Sequence, residues 1–178
     1  MRIWIFGDFG IRLLAKNMKT NKIDYIPNVN FSMIGISSAE RDYKMAWQFV
    51  KKLCMDFYLL PNIEVEKKQE ASLSLFGFDE NEVKSIFSVY GNSIEGTKKS
   101  DLLLISNRSD GHCLLEELKR FDYLFMIRSE MAHNKDEILR SISNISDISA
   151  LYEIDLGRLN AKSRLSVFEL WDSLQSRL

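Results

Sequence analysis

Glu116, Glu117 and Asp122 fall within one seven-residue window that runs into the apolar segment 124–127. Carboxylates grouped in this way can serve two-carboxylate acid–base catalysis or a site for a hard cation. The first chemistry needs a cleft and a carboxyl group of raised pKa, and spacing supplies neither. The second needs several oxygens at defined loop positions, a pattern that Asp110, Glu116 and Glu117 do not make. The plainer expectation is architectural. Glu117 or Asp122 caps backbone amides, or pairs with Arg108 or Arg128, and so holds a hairpin in register.

The two histidines, His112 and His133, add little to this. His112 adjoins Cys113, but neighbours in a strand point to opposite faces and do not form a base–nucleophile pair. No zinc-type spacing and no nucleophile-elbow serine occurs. We therefore expect no catalytic residues, no metal and no cofactor.

Composition narrows the remaining classes. A chain of 178 residues with 46% hydrophobic and 28% charged residues suits one globular domain. Its 24 basic and 25 acidic residues leave no net field to gather nucleic acid or an anionic membrane. Lys51-Lys52, Lys67-Lys68 and Lys98-Lys99 are isolated pairs diluted by acids, which read as solvated faces. No apolar run approaches the ~18 residues of a membrane helix. Cys54 and Cys113 have no redox or metal spacing and read as reduced thiols of a cytoplasmic protein.

Residues 1–17 read as a poorly ordered extension with Met18 as an alternative start, and 18–178 as the domain. Residues 23–26 and 31–36 are expected strands, the second with apolar side chains on both faces. Ser37 and Glu40 have capping-box spacing and should open a helix. Its buried face would hold Tyr43, Ala46, Trp47, Val50, Leu53 and Cys54, widened by Met45 and Phe49, with Pro61 ending the segment. Residues 65–70 read as a solvated charge cluster, and Leu73, Leu75 and Phe76 as an edge strand. Residues 86–90 should pair with 102–105 as an antiparallel hairpin across a long linker, 91–100. Turn chemistry over 106–111 favours positive φ at Asp-Gly. The strand through Tyr123 is followed by a helix capped by Asn134, with Ile138, Leu139, Ile142 and Ile145 buried, and then by a strand over 149–154. Ser166 and Glu169 repeat the capping-box spacing before a short last helix carrying Val167, Leu170, Trp171 and Leu174.

This order predicts a single α+β domain: a mainly antiparallel sheet with helices packed on one face, related to the ferredoxin-like arrangement, plus a short C-terminal helix.

The window Leu115-Glu116-Glu117-x-x-x-Phe121-Asp122-Tyr123 resembles the signature of the IPExxxVDY family, small bacterial proteins without an assigned function. Glu117, Asp122 and Tyr123 are identical to the pattern, and Leu115 and Phe121 are conservative. Glu116 departs from it, standing where the pattern has proline. Flanking residues 34–38, 42–47 and 104–109 resemble the family's segments in the same order, so the likeness covers roughly residues 18 to 168. It implies membership and fold, with no reaction attached. Without proline to fix φ, the loop at Glu116 is free to form one helical turn.

Three readings follow. The first is a non-enzymatic interaction or regulatory module, either a homodimer through an edge strand or the last helix, or the binder of another protein. Its candidate surface is Asn107, Arg108, Gly111 and Glu116. The second is a small-ligand domain, with the ligand near 106–112 and Tyr123. The third is RNA binding through sheet aromatics such as Phe87 and Tyr90, which lacks the glycine–aromatic signature of sheet-platform modules.

Overall fold

A computed structural model describes residues 30–68, 82–92 and 100–176. The expected extension 1–17, the strand at 23–26, the edge strand at 73–76 and most of the linker 91–100 lie outside those residues.

Runs rich in β-branched and aromatic residues form one six-stranded sheet. Its strands are β1 (Phe31–Ser37), β2 (Phe57–Lys68), β3 (Glu82–Asn92), β4 (Leu102–Ser106), β7 (Tyr123–Arg128) and β8 (Ala150–Glu153). Between β4 and β7 a two-residue pair, β5 (Arg108–Ser109) and β6 (His112–Cys113), makes a small separate hairpin. The sheet order is β2-β3-β4-β7-β1-β8, with every adjacent pair antiparallel. β2, β3, β4 and β7 therefore form a meander, while β1 is inserted between β7 and β8. The chain goes from β7 to β8 over β1 through the helix α2 (Lys135–Ser143).

Both faces of this sheet are covered. One carries α1 (Asp42–Leu53) and α2, through Met45, Ala46, Phe49, Ile138 and Ile142 against Ile34, Ile36, Leu104 and Phe125. The other carries α3 (Ala161–Gln175), through Val167, Phe168, Leu170, Trp171 and Leu174 against Phe31, Met33, Leu103 and Met126. The α+β architecture, the antiparallel sheet and the C-terminal helix match the sequence reading. The C-terminal helix lies on the face opposite the other two.

Several local expectations give way to tertiary contacts. Ser37 stays in β1 and donates its hydroxyl to the Arg120 carbonyl at 3.2 Å, so no capping box forms with Glu40. The helix starts at Asp42 behind an uncapped Arg41. Its buried stripe is Met45, Ala46 and Phe49, whereas Tyr43 and Trp47 are 52% and 56% exposed. Apolar residues cover more than half of this helix's circumference, opposite Lys44, Gln48, Lys51 and Lys52, so periodicity leaves open which end of that arc is buried. Asp42, which accepts from the Ser88 hydroxyl, and Gln48, which donates to Asp147 at 2.7 Å, set the rotation.

Pro61 does not end the segment but lies inside β2, at a register shift between Leu60 and Ile63. An edge strand tolerates a missing N–H at such a bulge. Within the supposed charge cluster, Val65 is buried and Glu66 points outward to pair with Lys84 at 3.2 Å. Asn134 makes no side-chain cap and instead closes the 3₁₀ turn Ser129–Asn134. The last helix begins well before Ser166, with Asn160 Oδ1 accepting the Ser163 amide at 2.9 Å.

Phe121 lies directly over Gly35 of β1. A methyl group at Gly35 would sit 2.5 Å from carbons of the Phe121 ring. Overpacking of this kind typically costs about 1–3 kcal/mol. Gly35→Ala should lower stability to denaturant by that amount, and Phe121→Leu should recover part of the loss in the double variant. Additive losses in such a cycle would show that the two positions do not clash.

Candidate functional site

The resemblance window folds as a tight loop tied to the end of β4. Leu115 is buried, Glu116–Leu118 forms a single 3₁₀ turn, and Tyr123 opens β7. The helical turn expected at Glu116 is present.

The organising side chain is Asn107, which is fully buried. Its Nδ2 donates to the carbonyls of Leu118 and Phe121, both at 2.9 Å, and its Oδ1 accepts the Leu115 amide at 3.0 Å. Its backbone amide donates to the Asp122 carbonyl at 2.8 Å, and its carbonyl accepts the Leu114 amide at 2.9 Å. One residue thus bonds to five backbone polar groups of an irregular segment, which has no regular ladder to satisfy them.

The loop carboxylates are likewise engaged. Glu117 accepts both the backbone amide and the side-chain Nδ2 of Asn160, so it braces the cap of α3. Asp122 Oδ2 accepts the Ser38 amide at 2.9 Å, and its Oδ1 lies 3.2 Å from Arg108 Nε. Arg108 also donates to the Lys119 carbonyl. The other arginine considered, Arg128, is at the far end of β7. There it donates to the Ser100 carbonyl at 2.8 Å and to Gln175. Its Nε is 3.2 Å from Asp101, although the N–H is not aimed at that carboxylate. The Tyr123 hydroxyl donates to the Glu40 carbonyl. Burial, reinforced by the nearby Asp42, Asp122 and Glu40 charges, holds its pKa well above the usual tyrosine value.

Of the surface expected from sequence, Asn107 is interior and Gly111 is the exposed hairpin tip. There Asp110 and Gly111 take φ values of 48° and 79°, the positive angles that Asp-Gly suggests. Arg108 and Glu116 are exposed. Of the aromatics considered for base stacking, Phe87 is fully buried and Tyr90 half-buried with its hydroxyl toward Asp42. Among the described residues no group of three or more His, Cys, Asp or Glu could hold a metal ion. No helix there is long and apolar enough to cross a membrane.

A feature absent from the sequence reading lies next to the loop, at the β8 edge of the sheet. On one face of β8, Tyr152 is opposite Gly35 and stacks against Phe121 with ring centroids 6.1 Å apart. The Arg120 guanidinium rests on both rings, 4.6 Å from Phe121 and 4.7 Å from Tyr152. On the other face an open cleft of about 290 Å³ runs between β8 and α2. Leu139, Arg140, Ser143 and Leu151 are among its lining residues. The sequence signal for this region was faint. Arg120 is simply one charge of the loop, and 149–154 reads as a closing strand.

No family model matches the chain. No curated protein matches it either.

Two outcomes test this geometry. Asn107→Leu removes three side-chain hydrogen bonds and strands buried backbone groups, each costing about 1–3 kcal/mol. Chemical denaturation should show a loss of at least ~3 kcal/mol; a loss under about 1 would mean that water replaces the amide. Tyr123 gives a pH signature. Because its folded pKa is raised, its contribution is complete below the ordinary value of 10.0 and fades as pH rises above it. Stability should therefore fall more steeply above pH 10 in the natural chain than in Tyr123→Phe.

Proposed function

We propose that this chain is a protein-interaction module without enzymatic activity, a cytoplasmic member of the IPExxxVDY group, acting through its β8 edge. The observation that carries this reading is the construction of that edge. β8 pairs only with β1, so its outer side is open among the described residues. One face presents an apolar cleft and the other a stacked Arg120–Tyr152 pair. A rigid edge flanked by apolar and cationic contacts suits recognition of another chain.

The opposite edge is built differently. β2 carries Pro61 and a bulge, devices that discourage pairing. Support against a catalytic role comes from the loop carboxylates: Glu117 and Asp122 spend their oxygens on Asn160, Ser38 and Arg108. Neither Cys54 nor Cys113 is in a disulfide, which suits a reducing compartment.

A photo-reactive phenylalanine analogue at position 140 or 152, and at position 43 as control, tests the reading in a lysate of the source organism. Positions 140 and 152 should yield one shared protein adduct that position 43 does not. Adducts with nucleic acid alone, or equal adducts at all three positions, would overturn it.

A further inference from the structure

We infer that the β8 edge takes up an extended peptide segment of a partner as an added strand, with a large apolar side chain in the α2 cleft and carboxylates toward Arg120 and Arg140. This rests on the interaction reading above and specifies what is bound and how.

The backbone supplies the first part. The Ile154 amide donates to the Met33 carbonyl at 2.8 Å, which fixes the alternation along β8. By the antiparallel pattern, Tyr152 also turns its amide and carbonyl toward β1. Leu151 and Glu153 then direct theirs outward, where an added strand would reach them. Their side chains take the α2 face: Leu151 joins the core there, and Glu153 pairs with Lys135. An incoming strand alternates in the same sense. Every second residue would face the cleft lined by Leu139, Ser143 and Leu151, and the residues between would face Tyr152 and Arg120.

Charge supplies the second part. Arg140 lines the cleft, and Arg120 lies over Tyr152 on the other face. Among the described residues, neither has a carboxylate within ion-pair distance. The one carboxylate lining the same cleft, Glu153, is already committed to Lys135. A second copy of this chain paired across a two-fold axis would bring two more arginines to the same edge, with Glu153 of each copy already held by Lys135. An acidic segment answers both cations, and so the occupant is a partner peptide with one large aliphatic or aromatic residue flanked by Asp or Glu.

Selection of phage-displayed random nonapeptides on the full-length protein tests the inference. Enriched sequences should share an apolar anchor with acidic neighbours. In titrations with the winning synthetic peptide, backbone amide shifts should concentrate at Leu151 and Glu153. Arg140→Glu should weaken binding at least tenfold without changing the melting temperature. N-methylation of alternate peptide amides should abolish binding in one phase and spare it in the other, because only one set faces β8. Equal tolerance of methylation in both phases, or shifts centred away from β8, would refute strand addition. No enrichment with position-specific cross-linking intact would also refute it, leaving an interaction with a folded surface. Loss of both would remove the interaction reading itself. A concentration-dependent dimer abolished by Leu151→Pro would put a second copy on the edge and likewise overturn the peptide.

Discussion

A single buried amide governs this structure. The chain between β4 and β7 is irregular, and an irregular segment cannot satisfy its own backbone polar groups when it is pressed against a core. Asn107 solves that problem by offering two donors and an acceptor at the centre of the loop. Its bonds place Phe121 over Gly35, and Phe121 in turn receives Arg120 and Tyr152. The same loop sends Glu117 to the cap of α3 and Asp122 to the β1–α1 junction. The loop that Asn107 shapes thus ties the β1–α1 junction and the cap of α3 to the centre of the sheet.

The acidic window is accordingly a scaffold. Its carboxylates look chemical in the sequence because their density is high and their partners are remote. Asp122 and Ser38 are separated by 84 positions, and Glu117 and Asn160 by 43. What the scaffold supports is the thinnest part of the sheet: a four-residue edge strand backed on one face by the loop and bordered on the other by α2. The two sheet edges differ in kind. Pro61 and its bulge blunt β2, whereas β8 has outward-facing polar backbone between an apolar cleft and a cation–π stack.

Much of the architecture was legible in advance, and the misses share one cause. The β3–β4 hairpin, the Asp-Gly turn, the helical turn at Glu116, the burial of Ile138 and Ile142, and the last helix all follow from neighbours close in sequence. The rotation of α1 did not, because Tyr43 and Trp47 are as apolar by type as Met45 and Phe49. Distant groups, Ser88 and Asp147, chose between the two faces. Both capping boxes failed for a related reason. Ser37 had a strand to complete, and Ser166 lay inside a helix already capped six residues earlier by Asn160. Pro61 and the acidic run after it concealed β2, since an edge strand tolerates both.

The amino-acid sequence by itself determined the α+β class, the order of strands and helices around the window, and the left-handed turn at Gly111. These depend on periodicity and on φ preferences, which act over a few residues. The tertiary structure alone decided that Asn107 is interior, that the carboxylates of the window are occupied, and that Arg120, Tyr152, Leu151 and Arg140 meet at one edge. Those outcomes depend on hydrogen bonds and packing between positions tens of residues apart, for which local pattern carries no signal.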